Sequence, residues 1–331
     1  MPIFWPDASL QMIDLLHQAI QSVLTQQVEQ LGEFILIDDG SPFDLSTLQL
    51  GQLFEGSSVC YRYERLARNH GLVFALNHGL ALARGEFIAR LDCDDIWLSG
   101  KLEAQFALFD RDPDLTISGT SMVATYPDGR ERSRHVRAGG WAEVLRFGQT
   151  IGTPFPHSSV VGRRDVFRRL GGYSFATKHR HVEDYELWTR WARFFKGEFC
   201  ELLLLRYTLH DRSVSAANAF VQGNRAGSIQ RDLLLNRSYE LSYEILPRIA
   251  EKVNISLLET GWFLYQIYTA PRLAFLPDSI AVEVREFFAD LDLMRVERAV
   301  HNPWPGLSNR SRLNGAGEVV QRIPKRIVAL P

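Results

Sequence analysis

Cysteine is scarce in this 331-residue sequence: Cys60, Cys93 and Cys200 are the whole set, and they lie far apart. An odd, scattered set excludes a disulfide framework and a clustered thiolate metal site, and it fits a reducing compartment. A basic surplus is missing too. Lys and Arg number 37 against 39 Asp and Glu, a formal net charge of -2, so the footprint of a nucleic-acid partner is not there. No apolar run reaches the ~20 residues that span a bilayer. Met1 to Trp5 has neither the basic nor the apolar stretch of a secretory signal, and a cytoplasmic protein is expected. The sequence has no internal repeat.

What is present is an alternation of strand-like and helix-like segments over the first two-thirds, which predicts an α/β fold. Leu10, Ile13, Leu16, Ile20, Val23 and Leu24 recur at helical spacing behind Asp7 and Ser9, either of which can cap the helix. Glu33 to Ile37 reads as a buried strand ending in Asp38-Asp39-Gly40-Ser41, and Ser58 to Glu64 as a second strand. Leu72 to Arg84 is a helix closed by Gly85. Glu86 to Leu91 is a third strand, running into Asp92-Cys93-Asp94-Asp95. The pattern weakens from Arg130 to Gln149 and returns as a helix from about Val182 to Phe195 and a strand from Glu201 to Tyr207. Beyond Ala216 helical stretches take over. The expected division is an α/β domain over 1–216, a helical extension over 217–305 and a loosely ordered tail over 306–331.

Two acidic clusters, Asp38-Asp39 and Asp92-x-Asp94-Asp95, each follow an apolar strand. In open α/β sheets ligands sit beyond the carboxyl ends of the strands. On extended backbone residues i and i+2 point the same way, which lets Asp92 and Asp94 face one ligand. Carboxylates suit a hard cation such as Mg²⁺ or Mn²⁺, which shares its coordination with substrate phosphates. The plainer alternative is that such acids only close turns or cap helices.

The chain of motifs is more specific than any member. Ile37-Asp38-Asp39-Gly40-Ser41 is followed by Asn69-His70-Gly71 with Ala75-Leu76-Asn77-x-Gly79, and then by Ala83-Arg84-Gly85-Glu86-Phe87-Ile88-Ala89-Arg90-Leu91-Asp92-Cys93-Asp94-Asp95. Further on come His157-Ser158-Ser159-Val160, Gly171-Gly172-Tyr173, Glu183-Asp184-Tyr185-x-Leu187-Trp188 and Arg206-Tyr207-x-x-His210. In order and spacing, Met1 to Ser215 resembles the family 2 glycosyltransferases. The resemblance implies a GT-A fold, a Rossmann-like mixed sheet flanked by helices, and inverting transfer of a sugar from a nucleotide-diphospho-sugar, a UDP-sugar foremost, to a glycan or lipid-linked acceptor in surface polysaccharide assembly. It places Asp39 on the base, Asp92 near the ribose, Asp94 on a Mn²⁺ or Mg²⁺ ion, and Asp184, beside Glu183, as general base. Asp38 and Asn77 fall in the nucleotide-sugar motifs, and His210 is a further candidate for the metal or the diphosphate. By composition alone Glu183-Asp184 is equally a pair of helix-stabilising acids, His157 a loop-ordering residue, and Trp188 with Trp191 a core pair.

One departure stands out. Met1-Pro2-Ile3-Phe4-Trp5 matches only the tail of that family's first strand, so a central strand is expected to be short and to leave its neighbours' backbone groups unpaired. That keeps open a non-catalytic sugar-nucleotide-binding or scaffold protein. A nucleotidyltransferase would need a Gly-rich basic loop that Pro2 to Leu10 does not offer. In the tail, Arg322, Lys325 and Arg326 interleave with Ile323, Ile327, Val328 and Leu330, an amphipathic pattern suited to peripheral membrane contact.

Overall fold

The computed structural model describes residues 1–210, 213–236, 238–269, 283–284 and 327–330. Contacts divide the chain into two units, one of Met1–Ala192, Lys196–Gln230 and Lys325–Pro331, the other of Arg193–Phe195 and Arg231–Pro324. The boundary expected near Ala217 falls inside a helix, Val214–Leu234.

The first unit is built on a sheet of β1 (Pro2–Ile3), β2 (Leu31–Asp38), β3 (Cys60–Arg65), β4 (Phe87–Arg90), β5 (Ile96–Trp97), β6 (Ile117–Thr125), β7 (Glu131–His135), β8 (Val161–Arg163), β9 (Gly197–Thr208) and β10 (Ile327–Leu330). Its helices are α1 (Leu10–Leu24), α2 (Leu72–Leu82), α3 (Lys101–Arg111), α4 (Trp141–Thr150) and α5 (Arg164–Arg169), with most of α6 (Glu183–Phe194) and of α7 (Val214–Leu234), whose last residues are counted in the second unit. The start of α1 follows the sequence: Ser9 caps it, its hydroxyl accepting from the Met12 amide at 3.3 Å. Its apolar face, Leu16, Ala19, Ile20 and Val23, is fully buried with Phe34 and Leu36 of β2 and Phe87 and Ala89 of β4. The weakly patterned 130–149 stretch forms β7 and α4. Trp188 and Trp191 are fully buried, as a core pair should be.

The short first strand has an unexpected neighbour. β3 pairs with Glu33 through Asp38 of β2. β1 pairs with Ile37 and Asp38, and β10 with Leu31, Glu33 and Phe34, of the same strand. A strand has two edges, so β10 and β1 share the edge opposite β3 and follow one another in a single lane. β10 also pairs with β4 on its other side, from Ile327↔Phe87 to Leu330↔Arg90. Where the lane passes to β1, the Met1 amino group donates to the Ile35 carbonyl at 2.8 Å and the Ile37 amide to the Met1 carbonyl at 2.8 Å. The backbone groups expected to be orphaned are thus met by residues 327–330. Of the tail, residues 327–330 are described and form a central strand, while Arg322, Ile323, Lys325 and Arg326 of the amphipathic stretch lie outside the described residues.

β1, β2, β3, β4, β6, β9 and β10 run parallel, while β8 is antiparallel to both β4 and β6. The carboxyl ends of β2, β4 and β9, and the start of β8, therefore share one edge of the sheet. Asp38-Asp39, Asp92 to Asp95, His210 and His157-Ser158 all sit there.

Lys101, at the start of α3, is fully buried. It donates to Gln105 Oε1 at 2.7 Å and lies 4.3 Å from the Trp97 ring centroid. Burial lowers its pKa to about 7. Between pH 7 and the ordinary lysine range the unfolded chain binds a proton that the folded chain does not, so this residue makes stability rise with pH across that window. Urea unfolding of wild type and Lys101→Met at pH 7 and pH 9 should show the difference shifting toward wild type by about 2 kcal/mol at the higher pH. A constant difference would contradict the buried, easily deprotonated amine.

In the second unit, α8 (Ser242–Val253) packs against α9 (Leu257–Thr269). The aromatic cluster at Trp262, Tyr265 and Tyr268 gathers on Phe194, whose ring lies 5.3 Å edge-on from Tyr265 and 5.5 Å from Tyr268.

Candidate active site

Asp38 closes β2 with its side chain fully buried. It accepts from the Ser41 amide at 2.8 Å and the Tyr63 hydroxyl at 2.8 Å, and Arg65 Nε lies 3.5 Å away. Asp39 turns to the next loop: its two carboxylate oxygens accept from the His70 and Gly71 amides at 2.8 and 2.7 Å. Gly40 makes this turn, with φ of +70° and a position where a Cβ would strike the Arg68 backbone. This acidic pair therefore ties the loop after β3 to the end of β2. Asn77 has a similar duty. Its amide donates to the Tyr173 carbonyl and accepts from the Tyr173 N–H, both at 2.9 Å. Gly172, at φ of +70°, gives the clamp room, since a Cβ there would overlap Asn77 Oδ1.

After β4 the chain does not stay extended. Residues 93–94 form a turn, with the Asp95 amide 3.4 Å from the Asp92 carbonyl, so the i, i+2 rule does not align Asp92 with Asp94. Each acid takes its own partner. Asp92 accepts from Arg90 Nη2 at 2.5 Å and from the Ser158 hydroxyl at 3.0 Å. Asp94 Oδ2 meets His210 Nε2 at 2.8 Å, joining the end of β4 to the end of β9. Asp95 is buried, accepts from the Thr208 amide at 3.0 Å and lies 2.5 Å from Ser158 Oγ. Burial, with Asp94 and Asp92 nearby, pushes its carboxyl well above the usual range. A proton held on Asp95 resolves the bonding at Ser158: Asp95 donates to the hydroxyl, which then donates to Asp92.

Arg90 is 1% exposed. Besides Asp92 it reaches both ring nitrogens of His157 at 3.0 Å, and His157 Nε2 lies 2.8 Å from the Tyr173 hydroxyl. A ring facing a guanidinium must offer a lone pair, so His157 is neutral, and burial together with Arg90 lowers its pKa well below the ordinary value. Arg90, Ser158 and Tyr173 were not singled out from sequence, and His157 was read only as a loop residue.

Glu183 and Asp184 open α6. Burial raises Glu183 to about 7, with the Asp184 charge adding to it. Burial raises Asp184 to about 6, opposed by the Tyr185 backbone amide and by Arg90. The charges of Asp184, Asp92 and Glu183 all act on Tyr173. Asp92, Arg90, His157, Tyr173, Asp184 and Glu183 thus form one electrostatic cluster, and Asp94 with His210 adjoins it through Asp92 and Asp95. Asn77 clamps the backbone of Tyr173 within it, while Asp38 and Asp39 hold the loops at the end of β2.

A mixed α/β sheet of this order, flanked by helices, is a GT-A-type fold. The match of residues 11–171 to the family described as Glycosyl transferase family 2 makes the likeness particular. The chain is similar to the putative glycosyltransferase EpsE of Bacillus subtilis (strain 168), 30% identical over 56% of this chain and 63% of that protein. It is also similar to the amylovoran biosynthesis glycosyltransferase AmsE of Erwinia amylovora, 30% identical over 53% of this chain and 63% of that protein. The alignments thus span 63% of the length of these relatives. Among solved structures, S. aureus TarS 1-349 in complex with UDP-GlcNAc superposes with a TM-score of 0.52 at 15% identity, covering 90% of this chain and 87% of that one, which shows the shared fold. Among the described residues no helix is long and apolar enough to cross a membrane.

Proposed function

We propose that the protein is an inverting, metal-dependent glycosyltransferase that moves a sugar from a UDP-sugar to an acceptor hydroxyl in polysaccharide assembly. The observation that carries this reading is the cluster itself: Asp92 with Asp94, Asp184 and His210 come from three separated stretches of chain to one site. The polysaccharide setting rests on the similarity to AmsE, an amylovoran biosynthesis enzyme by name. No group of three His, Cys, Asp or Glu side chains able to hold an ion occurs among the described residues. The Asp94–His210 pair supplies two ligands with side chains 25% and 14% exposed, which fits an ion that completes its shell with diphosphate oxygens and water. Such an ion would offset the charge that develops on the leaving diphosphate.

The residues of the chain do the rest. Asp92, fixed by Arg90 and Ser158, offers an acceptor toward the donor's ribose. Asp184 takes the acceptor's proton. Of the neighbouring pair, Asp184 ionises first and is the more open, while Glu183 still holds part of its proton at neutral pH. Burial raises the pKa of Asp184, so ionisation costs the folded state and leaves a carboxylate ready to bind a proton.

Release of UDP from a set of UDP-sugars, with Mn²⁺ and oligosaccharide acceptors, tests the reading. Turnover should rise with pH through a midpoint of about 6, because the base works only when deprotonated. Absence of turnover with every donor would favour the scaffold alternative. A flat profile from pH 5 to pH 8 would remove Asp184 from the role of base.

A further inference from the structure

The proposed chemistry uses Asp92 on the donor side and Asp184 on the acceptor side, but leaves unexplained the buried polar chain that runs from Asp92. Arg90, His157 and Tyr173 lie at sequence separations of 67 and 16 residues along that chain. A buried guanidinium is costly unless its surroundings repay it, and this one has spent its contacts on Asp92 and His157. Its Nη1 is buried with no hydrogen-bond partner among the described residues. A buried donor left open within a site calls for a specific reason, and an oxygen from outside the chain is one. The far end is held just as firmly. Both backbone polar groups of Tyr173 are clamped by Asn77, and its ring lies 6.1 Å from Trp188 and 6.5 Å from Phe167.

We propose that Asn77, Tyr173, His157 and Arg90 form a positioning relay that holds donor-side Asp92 and acceptor-side Asp184 in one fixed relation, so that the bound donor and the base are aligned as a unit. The inference rests on the glycosyltransferase reading, which identifies the two ends. No member of the relay transfers a proton in the reaction. His157 stays neutral, accepting from Arg90, and Tyr173 keeps its hydroxyl proton because burial and the Arg90-flanked carboxylates hold its pKa far above neutrality. What the relay supplies is direction. Arg90 anchors one oxygen of Asp92, leaving the other to Ser158, and Tyr173, on which the Asp184 charge acts, holds its hydroxyl 2.8 Å from His157 Nε2. Asn77, which the sequence motif assigns to the nucleotide-sugar, acts here at a distance by fixing Tyr173.

The test uses the full chain with two readouts: affinity for UDP with Mn²⁺ by calorimetry, and kcat and KM for the active UDP-sugar. Tyr173→Phe removes one hydroxyl and keeps the ring. It should lower kcat about tenfold, the equivalent of one positioning hydrogen bond, with donor KM and UDP affinity within about twofold of wild type. Arg90→Met should weaken UDP·Mn²⁺ binding by about 10- to 100-fold, as loss of a supporting contact behind a ligand-binding carboxylate does, and Arg90→Lys should recover part of it. Should Tyr173→Phe leave kcat unchanged, or raise only KM, the relay is not coupled to the base. If Arg90→Met binds UDP·Mn²⁺ as wild type does, its donor end is wrong. A wild-type chain that binds UDP·Mn²⁺ but turns over no donor counts against the enzyme reading instead, and the Arg90 affinity result still decides the donor half of the relay.

Discussion

Asp184→Asn should lower kcat by about 10³, within the range general-base contributions reach, while donor KM and UDP affinity stay near those of wild type. The asparagine keeps the size and the contacts to the helix start but cannot accept a proton. The loss should therefore appear in kcat and in kcat/KM together, the signature of an interaction made only in the transition state. The acid limb near pH 6 should vanish with it, since the group that titrates there is gone. Glu183→Gln offers the contrast. Glu183 is 6% exposed and still partly protonated at neutral pH, so its amide variant should retain most of the turnover and leave the limb near pH 6 in place, because Glu183 is mostly uncharged where Asp184 titrates.

Val328→Pro should lower the melting temperature by roughly 5–10 °C, as a loss of about 2–3 kcal/mol would in a domain of this size. Val328 sits in β10 opposite Glu33 of β2 and Ile88 of β4. A central strand has no free edge on which a proline's missing donor is harmless. Because β2 and β4 carry Asp38 and Arg90 at their ends, splaying the lane should also weaken UDP binding. Hydrogen exchange gives an independent reading: the amides of residues 327–330 should exchange as slowly as those of β2. Unchanged melting and fast exchange in that segment would show that the strand does not hold the lane.

The sequence revealed the frame of the site more readily than its inner bonding. Strands ending in acids can be read from local patterns, and so can the helix that opens at Glu183, because each depends on neighbours in the chain. The order of the motifs then implied the GT-A fold, and the superposition on TarS agrees with it. The partners of each acid were not legible. Asp92 and Asp94 look like a pair in the sequence, yet the turn at residues 93–94 sends one to Arg90 and the other to His210, 116 residues away. Asp39 spends both oxygens on two backbone amides, which no side-chain pattern could announce. Tyr173 and Arg90 are ordinary residues taken singly, and they gain meaning only once folding brings them to either side of His157. The strand at residues 327–330 was not legible for a different reason. Four apolar residues among basic ones fit a membrane-surface element as well as a strand, and the open lane beside β2 is what residues 327–330 fill.

Calorimetric titration of UDP into the full-length protein, with and without Mn²⁺ and for wild type beside Asp94→Asn, tests the convergence of the carboxylates most directly. Mn²⁺ should tighten UDP binding to the wild type by at least about tenfold, a coupling of roughly 1.4 kcal/mol between ion and nucleotide, and Asp94→Asn should abolish that gain. Equal UDP affinity with and without the ion, or a gain that survives Asp94→Asn, would contradict the placement of ion and diphosphate at this edge of the sheet.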